Sequence, residues 1–144
     1  MPVIALCPLD SGVDIEIAAT SKELPLLKVS TPPHGAAYVP HVCAELAKRL
    51  EPLVLVLHGT TAIHAPAIAL SRRSLRSPAV HYVLVDPAMP VIGGDYGDWP
   101  DAPVTVILSE KPPEYAKEAA LQARLRGWRI THESLAQVLE SLSD

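Results

Sequence analysis

The sequence predicts an α/β fold: a doubly wound, mostly parallel sheet of about five or six strands with helices on both faces. Three observations carry this. Short continuous apolar runs, clearest at 53–57 (LVLVL), have the composition of strands buried on both faces. Segments with helical apolar spacing alternate with those runs along the chain. The 144 residues are 49% hydrophobic yet include no Phe, so Val, Leu, Ile and Ala must fill the core. A chain of this length can bury such a core without cross-links, and residues 1–144 are read as one domain.

Residues 3–7 (VIALC) are closed by Pro8, Asp10 and Gly12, as expected of a central strand running into a loop. Residues 24–29 form a second candidate strand. Pro25 cannot donate to a ladder, which places that strand at a sheet edge. Over 40–50, Val42, Leu46 and Leu50 with Cys43 and Ala47 repeat at helical spacing. Pro40 suits a first turn, and Lys48 and Arg49 suit the negative end of the helix dipole. After Pro52 the 53–57 strand leads through His58-Gly59-Thr60-Thr61 into an Ala-rich helix reaching about Arg73. Residues 80–85 and 103–108 read as buried strands separated by a Gly-, Asp- and Pro-containing loop with Tyr96 and Trp99, a candidate lid or interface. A helix over 114–126 stops at Gly127, a short strand spans 128–131, and an amphipathic helix covers 134–142.

The net charge of -4, with both signs interspersed, gives no footprint for nucleic acid or an anionic membrane. No apolar stretch approaches the roughly 20 residues that span a bilayer, and the N-terminal residues lack a signal-peptide pattern. A cytoplasmic protein is expected. Cys7 and Cys43 have neither metal-like nor redox-like spacing and are expected to be reduced. His34, His41 and His64 fall near helix ends or on helix faces, and His81 within a strand. They read as structural or solvated. No cofactor and no metal site is expected, since the histidines lack close paired spacing.

In open parallel sheets, ligands bind beyond the carboxyl ends of the strands. The residues there are Pro8-Leu9-Asp10-Ser11, His58-Gly59-Thr60, Asp86-Pro87, Ser109-Glu110 and His132. Of these, His58 and His132 are acid or base candidates. Asp86 also fits a turn former, and Cys7 a buried thiol.

From Pro32 to about Ile130 the chain resembles the small α/β-hydrolases of actinobacteria. The resemblance rests on Pro32-Pro33 before a helix, the 53–57 run into His58-Gly59, PAIA at 66–69, VLVDPAMP at 83–90, and Arg126-Gly127-Trp128. It implies a shortened hydrolase-like fold whose G-x-S-x-G elbow falls at Leu57-His58-Gly59-Thr60-Thr61. Gly59 then stands where the nucleophilic serine belongs. A slip of one residue makes Thr60 the nucleophile, in a strained turn that β-branched side chains tolerate poorly. The family's acid falls near Glu110 and its histidine near His132, although the family has a longer loop before its last helix.

These readings give His58, Thr60, His132 and Glu110 as candidate catalytic residues, and Leu9, Asp10, Ser11, Gly59 and Asp86 as candidate substrate-binding residues. With no serine, the resemblance implies a site for a small apolar metabolite, used for cyclase- or lyase-type acid–base chemistry in specialised metabolism. The alternative is a catalytically inactive interaction module, forming a homodimer or joining another protein. An esterase using Thr60 is the third reading.

Overall fold

The computed structural model describes residues 2–8, 24–92, 94 and 96–142. Its strands form where the apolar runs lie: β1 (Val3–Leu6), β2 (Leu26–Lys28), β3 (Leu53–His58), β4 (Ala79–Val85), β5 (Val104–Ile107) and β6 (Arg129–Thr131). They make one sheet of order β2-β1-β3-β4-β5-β6, with every neighbouring pair parallel. Between and after them come α1 (Tyr38–Leu46), a 3-10 segment (Gly59–His64) running straight into α2 (Ala65–Ser74), α3 (Glu114–Leu125) and α4 (Leu135–Leu142). The fold is α/β, as the alternation of apolar runs and helical spacing predicts.

Strand alternation sends β3 to both faces at once. Leu53, Leu55 and Leu57 join Ala5, Cys7 and Leu84 beneath Val42 and Leu46 of α1, Ile68 and Ala69 of α2, and Ala123 of α3. Val54 and Val56 join Ile4, Leu6, Val83 and Ile107 beneath Val138 and Leu139 of α4. Burial on both faces is why these strands read as unbroken apolar runs. Pro25 behaves as an edge proline: it has no N–H to give, and its carbonyl accepts the Ile4 N–H at 2.9 Å. Among the described residues no helix is long and apolar enough to cross a membrane.

Two details depart from the sequence reading. Within the 86–103 connection Trp99 packs inward: it is 3% exposed and meets Tyr82 and Trp128 edge-on, with ring centroids 5.3 and 5.6 Å away. Asp101 holds it, accepting from the Tyr82 hydroxyl and pairing with Arg73 at 3.0 Å. Trp99 therefore belongs to the core rather than to a lid. The second departure is that α1 ends at Leu46, well before Leu50.

Arg72 accounts for that early end. Its side chain lies in α2 at 1% exposure, and it has four backbone acceptors. Nη1 donates to the carbonyls of Leu46 (2.9 Å) and Arg49 (2.7 Å), Nη2 to Glu51 (3.1 Å), and Nε to Ser77 (2.9 Å). The guanidinium thus gives the last carbonyl of α1 a second donor beside the Arg49 N–H and takes up carbonyls of the turns that follow. Burial draws the Arg72 pKa down, and Glu51 opposes the shift. Replacing Arg72 with Met is expected to destabilise the fold by about 3–5 kcal/mol, as breaking a buried charged network does. Arg72→Lys should recover only part, because an ammonium cannot span the same fork of acceptors. Urea denaturation of the three proteins measures both effects, and an unchanged midpoint for Arg72→Met would show that water replaces the guanidinium.

Candidate functional site

The strand that follows β1 in the chain lies on one side of it and the strand that follows β3 lies on the other, so the topological switch point falls between β1 and β3. Beside it, the Tyr38 hydroxyl donates to the Pro8 carbonyl at 2.7 Å, and its ring stacks on His64 with centroids 4.9 Å apart. At the end of β3 the chain turns sharply at Gly59, which is buried with φ +63°. The turn is fixed from both sides. The Gly59 carbonyl accepts the Ala88 N–H at 3.0 Å, and the Thr61 hydroxyl donates to the His58 carbonyl at 2.7 Å.

Glycine suits this corner because an L side chain in the left-handed region costs about 1–2 kcal/mol. A Cβ built on Gly59 would lie 3.5 Å from the Tyr115 hydroxyl, an ordinary contact. The space a side chain would take at the elbow is thus overlooked by a phenol from the first turn of α3. Thr60 is the next residue, exposed, and His58 is half-buried at the strand end.

The remaining candidates spread along the carboxyl edge. His58 pairs with Val85, Val85 with Ile107, and Ile107 with Thr131, so Gly59, Asp86, Leu108 and His132 each follow one row of the ladder. From β3 to β6 is three strand spacings, about 14 Å at the usual separation of parallel strands. His132 is exposed, with Nδ1 3.3 Å from the Leu108 carbonyl, and residues 132–134 are the whole link to α4. Glu110 is exposed just past β5. Asp86 is 8% exposed at φ +43°. Its Oδ1 accepts the Ser109 N–H at 2.9 Å and its own N–H reaches the Ile107 carbonyl at 2.8 Å, so the carboxylate joins the ends of β4 and β5. Leu9, Asp10 and Ser11 lie outside the described residues.

Both cysteines are free. Burial, reinforced by Cys43, pushes the Cys7 thiol up to about 12, which leaves it without thiolate at neutral pH. Burial also raises Cys43, against a hydrogen bond from Ser71.

An open groove of about 480 Å³ lies at the opposite, amino end of the strands, between His81, Thr105, Trp128 and Arg129. There His81 Nε2 and Thr105 Oγ1 are 2.9 Å apart, and the histidine's pKa is drawn down first by burial and then by Arg129.

Sequence reasoning missed Tyr115 and Tyr38, and read His64 only as structural or solvated. Tyr115 reads only as the second residue of a helix, and Tyr38 as part of a loop. Neither carries a motif, and only the fold brings them to the strand ends. Comparison with protein-family models and with curated proteins finds no match for the chain.

Two outcomes follow. Gly59→Ser should fold with a loss of about 1–2 kcal/mol, the cost of its left-handed backbone. It should not hydrolyse 4-nitrophenyl acetate above the parent rate, since the His132 strand end stands too far along the edge to take the serine's proton. A large gain in hydrolysis would show that a base does reach the elbow. The second concerns pH. Burial first, and then Arg129, disfavour the charged form of His81 in the fold, so its contribution to stability is complete above the ordinary value of 6.5 and is lost as pH falls below it. Urea midpoints on either side of 6.5 should show a steeper acid-side loss for the parent than for His81→Gln.

Proposed function

We propose that the chain is a shortened α/β-hydrolase-like protein, acting in the cytoplasm, that binds a small apolar metabolite at its carboxyl edge without hydrolysing it. The observation that carries this reading is the elbow itself. A strand, a left-handed corner and a helix stand beside the switch point, and the corner residue is Gly59, which offers no nucleophile. The order of segments from Pro32 to Ile130 supports the same ancestry. His58 at the end of β3 supplies an imidazole, and Thr60 and Tyr115 supply hydroxyls. Such groups suit proton transfer or hydrogen bonding to a carbonyl, as in a cyclase or lyase of specialised metabolism.

The test is an amide NMR titration of the full chain with small apolar ketones, 1-tetralone among them. Signals of Gly59, Thr60 and Ala88 should shift together, and Gly59→Val, which places a side chain in the binding space, should abolish the shifts. Shifts that cluster elsewhere, or that survive Gly59→Val, would refute the reading.

One observation favours the second reading, an inactive interaction module. Leu121 and Leu125, one turn apart on the outer face of α3, are 63% and 89% exposed. If that face pairs with a second copy, light scattering should show a mass rising with concentration, and Leu125→Asp should hold the protein monomeric.

A further inference from the structure

The segment that braces the elbow from the neighbouring strand begins at a strained residue. Asp86 follows β4 with φ +43°, in the left-handed region that L side chains avoid. The residue after it is Pro87, and a residue before proline is further biased toward extended backbone. A turn disfavoured on both counts persists only where its surroundings fix it. Here they do. The Asp86 N–H donates to the Ile107 carbonyl at 2.8 Å, Oδ1 accepts the Ser109 N–H at 2.9 Å, and the residue is 8% exposed. Ile107 ends β5 and Ser109 lies just past it, so Asp86 is held across the sheet.

Two residues on, the Ala88 N–H donates to the Gly59 carbonyl at 3.0 Å. That carbonyl shares a planar peptide unit with the Thr60 N–H, so fixing one fixes the direction of the other. Asp86-Pro87-Ala88 thus runs from the end of β5 to the turn after β3. Its course is set at Asp86, because the proline ring leaves residue 87 little freedom in φ.

We propose that Asp86 is the positioning residue of the elbow: held in its left-handed turn by β5, it aims the Ala88 N–H at the Gly59 carbonyl and so sets the corner that receives the ligand. This rests on the binding reading above, and it gives Asp86 a part played through Ala88 rather than by contact with the ligand. Aspartate meets two demands at once. Its short polar side chain tolerates the left-handed region better than most, and its carboxylate supplies an acceptor for Ser109. Glycine would meet the first demand only, and alanine neither. Asparagine meets both, since its amide oxygen also accepts.

Amide hydrogen exchange of the full chain, without ligand, tests the hold on the turn, and an NMR titration with 1-tetralone tests what that hold does for binding. Ala88 protection is read relative to the amide of Leu55, buried in the middle of β3, so that a loss of global stability is not mistaken for a loosened turn. Asp86→Ala should lower Ala88 protection roughly tenfold, the equivalent of one lost hydrogen bond, and weaken 1-tetralone binding by a similar factor. Asp86→Gly should fall between Asp86→Ala and the parent, and Asp86→Asn should match the parent. If Asp86→Ala does not fold, Asp86→Gly carries the comparison. Ala88 protection unchanged in both Asp86→Ala and Asp86→Gly, or lost equally in Asp86→Asn, overturns the proposal. Protection that falls as expected in a protein whose parent form binds no 1-tetralone supports the positioning of the turn and refutes the binding reading alone.

Discussion

A parallel sheet flanked by helices must keep both of its faces out of water, and every other feature of this chain accommodates that demand. In β3 the requirement is met by five consecutive buried aliphatic residues, Leu53 to Leu57, and the first polar group available is His58 at the strand's end. Functional groups are thereby driven to the strand termini and to the first turns of the helices that follow. The elbow at Gly59, the Tyr38 bridge to Pro8 and the Asp86 turn all stand at one edge for this reason. The same demand explains why Asp86, at 8% exposure, spends its carboxylate on a neighbouring backbone N–H: a buried charge with no partner would be costly.

Arg72 is the exception that proves useful to the fold. A full charge at 1% exposure survives because four carbonyls converge on it, including two at the negative end of α1. It ties α2 to the end of α1 and to the turns before β3 and after α2. The orientation of α2, and with it of the elbow that opens the helix, therefore depends on a contact made at the helix's far end. Arg73, the next residue, faces another way and anchors the 86–103 connection through Asp101 and the Tyr96 carbonyl. Adjacent arginines thus position two different walls of the domain.

The strands were legible in the sequence because burial on both faces leaves a one-dimensional trace, a run of aliphatic residues closed by Gly, Pro or Asp. Pro25 marked an edge for an equally local reason. The position of Gly59 at the turn after β3 was also readable, since strand, turn and helix follow one another without interruption. What stayed hidden depends on separations that periodicity does not encode. Tyr115 approaches Gly59 across 56 residues, seen only as a contact to a Cβ that is not there. Asp86 is readable as a turn former, but its partner Ser109 stands 23 residues away, past the end of β5. The early stop of α1 was invisible because its cause, Arg72, sits 26 residues beyond Leu46.

The spread of the candidate residues along the carboxyl edge bears directly on what the elbow can do. Catalysis by a nucleophile, a base and an acid needs them within hydrogen-bond reach of one another, and strands in a parallel sheet step sideways by about 4.8 Å each. A base carried by β6 must come back across two strands to serve a turn after β3, and only a long loop can bring it there. Here residues 132–134 join β6 directly to α4, and Val138 and Leu139 of α4 are packed on the sheet with no exposed area. Lengthening that loop would cost the packing that covers one sheet face. The short link and the glycine at the elbow are therefore consistent with each other: without a base in reach, a serine at position 59 would add backbone strain and no chemistry. What the corner has instead of a side chain is the Tyr115 hydroxyl, 3.5 Å from where a Cβ would stand.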